Sequence, residues 1–301
     1  MLTPDHLDAD LARDPETAFE CVQIAPMGGD LCAILFMLSD PAYERTLSLV
    51  FTARDFAPES VERILKTQEW LMSLTCPARE ELFALEATTR VWHYRNRIWN
   101  REKVAEESMR RVWGGDGTQP LLVGRNGLAY RYEGAWLPIP PASTTQFFDA
   151  HGAGPRLVYT CGDRGHLQRL ENNLWRVIDL GRHDQLRGLD VAPDGTVRLA
   201  GSNGVCLEIR GEVELIEIAA PTTTFFTVRG YAGDWYWGDE TQVYIQRGAV
   251  LEPFFDTGFA FDLRTDGRYL YCVGTDRAWR FGHDTGWSSL RLIYDGAFRL
   301  I

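Results

Sequence analysis

The chain has 301 residues, of which 45% are hydrophobic, 24% charged and 12% aromatic, with ten Trp; this is ordinary globular usage, which excludes a disordered or fibrous chain, and the aromatic share favours strands. A formal charge of −11 argues against a nucleic-acid partner, because phosphate binding needs a basic face, and makes a cationic partner the better expectation. The apolar run at residues 31–38 is far too short to span a bilayer, so no membrane partner is expected.

Residues 1–20 hold six carboxylates against one arginine, unlike a signal peptide, and a cytoplasmic location is expected. Residues 20–26, 31–38 and 45–53 read as three strands, the first two joined by Gly28-Gly29. After Pro58, the residues Val61, Ile64, Leu65 and Gln68 fall at helical intervals with carboxylates in the first turn. This predicts a helical insertion over 57–70.

From residue 71 to 295 the chain repeats. The segments LLVGRNGLAYRYEGAWLPI, LVYTCGDRGHLQRLENNLWRVI, VRLAGSNGVCLEIRGEVELI, WYWGDETQVYIQRGAVLEPF and LYCVGTDRAWRFGHDTGWSSL align, preceded by the divergent LFALEATTRVWHYRNRIWNREKV. Gly124, Gly162, Gly201, Gly238 and Gly274 are spaced by 38, 39, 37 and 36 residues, and Glu86 holds the same place one period earlier. Each unit reads as four strands separated by turn chemistry. Asp116-Gly117, Asp194-Gly195 and Asp266-Gly267 mark a first turn, Asn126-Gly127 and Asn203-Gly204 a second, and Glu133-Gly134, Arg210-Gly211 and Arg247-Gly248 a third. Trp99, Trp136, Trp175 and Trp287 recur near the start of the last strand, where a large ring can fill space between neighbouring sheets.

Four antiparallel strands every 36–39 residues is the period of β-propeller blades. The units resemble BNR-like, kelch-like and WD-repeat-like propellers as a class, over residues 71–301. The Ser-x-Asp-x-Gly-x-Thr-Trp box and the Trp-Asp dipeptide of those repeats are missing, so the resemblance implies a fold and carries no family site. The expectation is one all-β domain over 1–301, a propeller of seven four-stranded blades with one short helical insertion; six blades is the alternative. Residues 20–53 are one strand short of a blade, and 297–301, after Asp295-Gly296, form a spare strand. The simplest closure makes that strand the innermost one of the N-terminal blade.

No nucleophile elbow, phosphate loop, zinc-protease motif or dinucleotide fingerprint is present. Six Cys and six His are scattered without metal-ligand spacing, so no catalytic residue, metal or cofactor is assigned, and the cysteines read as buried thiols. One constellation recurs: Asp149, Asp190 and Asp262 precede their repeat glycines by 13, 11 and 12 residues, near the end of the presumed innermost strand. They could converge at one mouth of a channel and receive an Arg or Lys from a partner; alternatively each caps its own turn. In Asp234-Trp235-Tyr236-Trp237 the two tryptophans share one strand face, either packed between blades or offered to a ligand. The favoured reading is a non-enzymatic protein-binding propeller with a basic partner, such as an inhibitor or immunity-type protein. A propeller hydrolase or lyase and a carbohydrate-binding module are the alternatives.

Overall fold

The computed structural model describes residues 4–115, 118–211 and 214–301. They form seven antiparallel sheets of at least four strands, each running in chain order from the channel outward. The innermost strands are Ala18–Gly28, Leu71–Ala78, Met109–Trp113, Phe147–Gly152, Leu186–Val191, Thr227–Tyr231 and Leu263–Thr265. Each neighbours the next, and the last returns to the first, so the protein is a closed seven-bladed propeller. The Asp116-Gly117 turn lies outside the described residues.

The core is divided among the seams. Each of seven buried clusters joins two adjacent blades: Cys21, Phe36 and Phe51 of the first meet Tyr271 and Leu290 of the seventh, and Phe225 and Trp237 of the sixth meet Ala200 and Cys206 of the fifth. Trp99, Trp136, Trp175 and Trp287 all belong to these seams. Fully burying such side chains is worth roughly 1.5–3 kcal/mol each, which is why apolar residues recur on both faces of the second strands. All six cysteines are buried thiols, and burial pushes Cys32 up to about 12.

The repeat glycines have a different cause from the one their position suggests. Gly124, Gly162 and Gly201 close the second strand with extended backbone, at φ −165°, −169° and −156°. They are small because another part of the backbone passes against them: a Cβ on Gly162 would lie 2.0 Å from the Gln146 carbonyl oxygen, and one on Gly201 2.5 Å from that of Gln185. The left-handed residues of these turns are the pairs Asn126-Gly127, Arg164-Gly165 and Asn203-Gly204.

Two expectations are corrected. Residues 57–70 form no helical insertion: after a single turn of 3-10 helix at Pro58–Ser60, Glu62–Thr67 pairs with Thr46–Arg54 as the outer strand of the first blade. Thr46–Arg54 offers a free edge, and Ile64 and Leu65 of the outer strand are only part-buried against the seam with the second blade, so tertiary pairing overrides the helical spacing. The α-helix lies instead at Pro4–Arg13, where Leu11 packs into the seam between the first and seventh blades. The first blade is thereby complete without residues 297–301. Phe298–Leu300 folds back through Asp295-Gly296 and pairs with Gly286–Tyr294 as a fifth strand on the outside of the seventh blade. A tight turn returns the chain to the strand it has just left. The ring closes by seam packing and the Cys21 N–H to Thr275 carbonyl bond of 2.8 Å.

Candidate functional site

Alternate residues of the innermost strands face the channel and build two polar tiers. In the first, Arg111 reaches across the channel, its Nε 2.9 Å from Asp149 Oδ1 and its Nη2 2.6 Å from Asp262 Oδ1. In the second, Arg229 Nη1 donates to Asp190 Oδ1 at 2.7 Å, and His151 Nδ1 lies 2.8 Å from the same oxygen. The other carboxylate oxygens are taken as well. Asp149 Oδ2 accepts the Leu189 N–H at 3.1 Å and Asp190 Oδ2 the Gly230 N–H at 2.8 Å, while Asp262 Oδ2 accepts Arg264 Nε at 2.9 Å and Gln23 Nε2 at 3.1 Å.

Neutral side chains play the same part in other blades. Gln23 Oε1 accepts the Leu74 N–H, Ser73 Oγ the Val112 N–H and Thr227 Oγ1 the Leu263 N–H, at 2.6, 3.2 and 3.2 Å. A side chain of one blade thus holds a backbone N–H of the next, which satisfies donors that the innermost strands would otherwise bury unpaired.

Of the three predicted aspartates, Asp149 and Asp262 meet on Arg111, while Asp190 lies in the other tier on Arg229 and His151. Burial works against the Asp190 charge, yet Arg229 and then His151 hold its carboxyl well below the usual range. Burial likewise opposes Asp262, and Arg264 and Arg111 hold it low. For His151, burial and then Arg229 keep the imidazole below its ordinary value. The two-residue difference between the offsets of Asp149 and Asp190 is one step along a strand face, which is why these two lie in different tiers. Of the predicted aromatics, Trp237 is fully buried in the seam with Phe225. Trp235 is half-buried, with the Arg198 guanidinium 3.5 Å above its ring.

The channel opens at two faces. At the entry face, where the innermost strands begin, five of them carry a bulge at one place, and the bulged residues are Val22, Met72, Arg110, Phe148 and Arg187. Bulges re-aim side chains. Arg187 lies over the Phe148 ring at 5.2 Å, and Phe226 meets Phe261 at 5.0 Å and Phe259 at 5.6 Å. Among the described residues neither Arg110 nor Arg187 has an ion-pair partner, and the Nε of each is buried without an acceptor. Burial, then the like charges of Arg125 and Arg187, push the Arg110 guanidinium down. Three of the most exposed aromatic side chains also lie on this face: Tyr43, Trp70 and Phe261, at 48%, 38% and 46% exposure. Tyr43 and Trp70 stack with centroids 5.3 Å apart.

At the exit face, where the innermost strands turn into the second strands, there is a cavity of about 510 Å³. A second of about 350 Å³ shares His151, Arg229 and Thr265 with it and extends to Trp235. Sequence reasoning passed over the arginines of both mouths. Their signal is a basic residue inside strands that are otherwise apolar, as in MRRVW, LRGLD, TVRGY and DLRTD. Among the described residues no cluster of three His, Cys, Asp or Glu is placed to hold a metal, and no helix is long and apolar enough to cross a membrane.

No family model and no curated protein matches the sequence. Solved structures do. YCF48 bound to D1 peptide superposes with a TM-score of 0.66 at 11% identity, covering 93% of this chain and 95% of that one. The WD40 propeller domain of Doa1 gives 0.70 at 12% identity, covering 88% and 94%. YCF48 from Cyanidioschyzon merolae gives 0.56 at 10% identity, covering 76% and 89%. At this level of identity the likeness is one of fold.

Proposed function

We propose that this propeller is a non-enzymatic protein-binding module that takes a carboxylate-bearing segment of a partner across its entry face. The observation that carries the reading is the presence, on one face of the ring, of exposed aromatic side chains and of arginines without an ion-pair partner among the described residues, since Tyr, Trp, Phe and Arg are the residues enriched in protein interfaces. Tyr43, Trp70 and Phe261 offer the apolar contact. Arg110 and Arg187 are half-buried cations without an ion-pair partner among the described residues, and a planar carboxylate suits them. The similar YCF48 structure holds a D1 peptide, which agrees with a propeller used in this way.

Neutralisation of a basic partner, as an inhibitor or immunity-type protein would achieve it, draws no support from the channel, because Asp149, Asp190 and Asp262 are already paired. The same pairing takes these three carboxylates out of the free pair that a glycosidase uses. We therefore assign the partner's charge the opposite sign. The test is fluorescence polarisation of the full chain with two labelled peptides of equal length, one pairing Phe and Leu with Asp and Glu, the other with Lys in place of the acids. The acidic peptide is expected to bind, with affinity lost in Arg110→Glu. Preference for the Lys peptide, or binding indifferent to that substitution, would overturn the reading.

A further inference from the structure

The exit mouth is unlike the entry mouth. It is a concave cavity of about 510 Å³, within the range of small-molecule sites. Arg229 and Arg264 line it from neighbouring innermost strands, and Arg229 Nε donates at 3.1 Å to the carbonyl of Leu263, the residue before Arg264. Each guanidinium is held on its inner side. Arg229 Nη1 donates to Asp190 and Arg264 Nε to Asp262, while Arg264 Nη2 is turned into the interior and buried. Two nitrogens remain: among the described residues Arg229 Nη2 and Arg264 Nη1 have no hydrogen-bond partner, and neither is a buried atom. Both side chains line the cavity and the second cavity adjoins at Arg229, so these two N–H groups open at this mouth. Its other polar groups are spent. Thr265 Oγ1 is bonded to the Tyr269 carbonyl and the Gly267 N–H, Thr75 Oγ1 to the Gly114 carbonyl, and His151 Nδ1 is taken by the Val191 N–H and Asp190.

Charge decides what can sit on those donors. Inside, Arg111, Arg229 and Arg264 offset Asp149, Asp190 and Asp262. At the rim Arg268 is paired with Asp30, and Arg79 is matched in number by Asp266. The described lining is thus neutral, with donors to give and no charge to neutralise. A cation would meet guanidinium groups, and an anion would bring a charge for which no arginine is left over. An uncharged acceptor fits, because a carbonyl oxygen takes N–H bonds on its lone pairs without adding charge. The wall supplied by the first three blades, including Ile24, Pro26, Met27, Leu74 and Trp113, is apolar.

We infer that the exit mouth is a binding site for a small uncharged carbonyl compound, its oxygen accepting from the free N–H groups of Arg229 and Arg264 and its apolar body against Met27, Leu74 and Trp113. This site lies at the opposite end of the channel from the proposed protein-binding face and does not depend on it. Hydrogen bonds from a charged donor are stronger than neutral ones, so one oxygen orients the ligand. Removal of the apolar body from water supplies the rest of the affinity.

The probe is methyl 2-naphthyl ketone, compared with 2-ethylnaphthalene, which has a methylene in place of the carbonyl, and with the anion 2-naphthoate. Equilibrium dialysis of the full chain against each, read by naphthalene absorbance, gives the affinities. The ketone is expected to bind saturably and at least about tenfold more tightly than either control, the effect of one hydrogen bond to a charged group. In Arg264→Gln, Asp262 keeps Arg111 and Gln23 as partners. There the preference for ketone over hydrocarbon is expected to fall at least about fivefold, with 2-ethylnaphthalene bound as by the parent. Should Arg264→Gln fail to fold, hydrogen exchange of the parent protein decides: the ketone is expected to slow amides of residues 28–30 and 265–268 and not those of 43–46 on the entry face. No saturable ketone binding, a ketone bound no better than 2-ethylnaphthalene or 2-naphthoate, a preference unaltered in a folded Arg264→Gln, or protection confined to the entry face would each overturn the proposal.

Discussion

Asp190 and Arg229 meet at the seam between the fifth and sixth blades with 2.7 Å between Oδ1 and Nη1, and are 4% and 3% exposed. Their contact ties a carboxylate from one innermost strand to a guanidinium from the next, and Asp190 Oδ2 also holds the Gly230 N–H. Asp190→Asn strands the Arg229 charge in the interior, and a loss of about 3–5 kcal/mol is expected, the usual result of breaking a buried pair. Urea unfolding measures it. Asp190→Asn combined with Arg229→Met is expected to recover much of the loss; a double variant as unstable as the sum of the two singles would show that the pair is not the cause.

Stability is expected to fall with acid in two stages. His151 is held below its ordinary value in the folded protein, so as pH drops below about 6.5 the unfolded chain takes a proton that the native state refuses, and stability declines. Asp190 and Asp262 are held low when folded. Their contribution is present above the unfolded carboxylate value of about 3.9 and is lost as pH falls through their lower folded values. Unfolding free energy measured from pH 7.5 to 3 should slope in that sense, with the upper stage reduced in His151→Gln. A flat upper stage in the parent protein would contradict the first assignment.

Deletion of residues 297–301 is expected to leave the ring closed. Phe298 and Leu300 are 8% and 4% exposed in the seam of the first and seventh blades, so the deletion should cost roughly 2 kcal/mol for each side chain and lower the thermal midpoint. The far-UV spectrum should stay that of the full chain. Collapse to an unfolded spectrum would mean that the C-terminal strand closes the ring after all.

Gly162→Ala is expected to be among the most damaging small substitutions. The added Cβ would stand 2.0 Å from the Gln146 carbonyl oxygen, a backbone atom that cannot turn away, and overpacking of this kind costs about 1–3 kcal/mol or more. Thermal unfolding is the measurement, and a midpoint within 1 °C of the parent would show that the two segments can separate freely.

Phe261→Ala removes a ring that is 46% exposed, and a change within about 0.5 kcal/mol in stability is expected. Its effect should fall on peptide binding instead. Loss of stability without loss of binding would place the ring in the core and not in an interface.

Much of the architecture was legible because it is local. Turn residues at a 36–39 residue period, with tryptophans recurring near the last strand of the unit, encode a repeated four-stranded sheet, and a ring of seven such sheets follows from packing each against the next. The places where reading failed are the places where a segment's partner is far away. Residues 62–67 carry helical spacing but lie as a strand on the edge left by Thr46–Arg54, and residues 298–300 can pair with either end of the ring until the turn at Asp295-Gly296 selects one.

The candidate site divides in the same way. That Asp149, Asp190 and Asp262 share a channel was written in their spacing; that Arg111, Arg229 and Arg264 neutralise them was not, because those contacts span up to 151 residues and depend on closure of the ring. Sequence alone determined the repeat, the strand order within a blade and the recurrence of Asp149, Asp190 and Asp262 near the ends of innermost strands. Only the tertiary structure decided which inward charges cancel and which are left over, since a charge on one blade has no partner until the blade beside it, or across the channel from it, is in place.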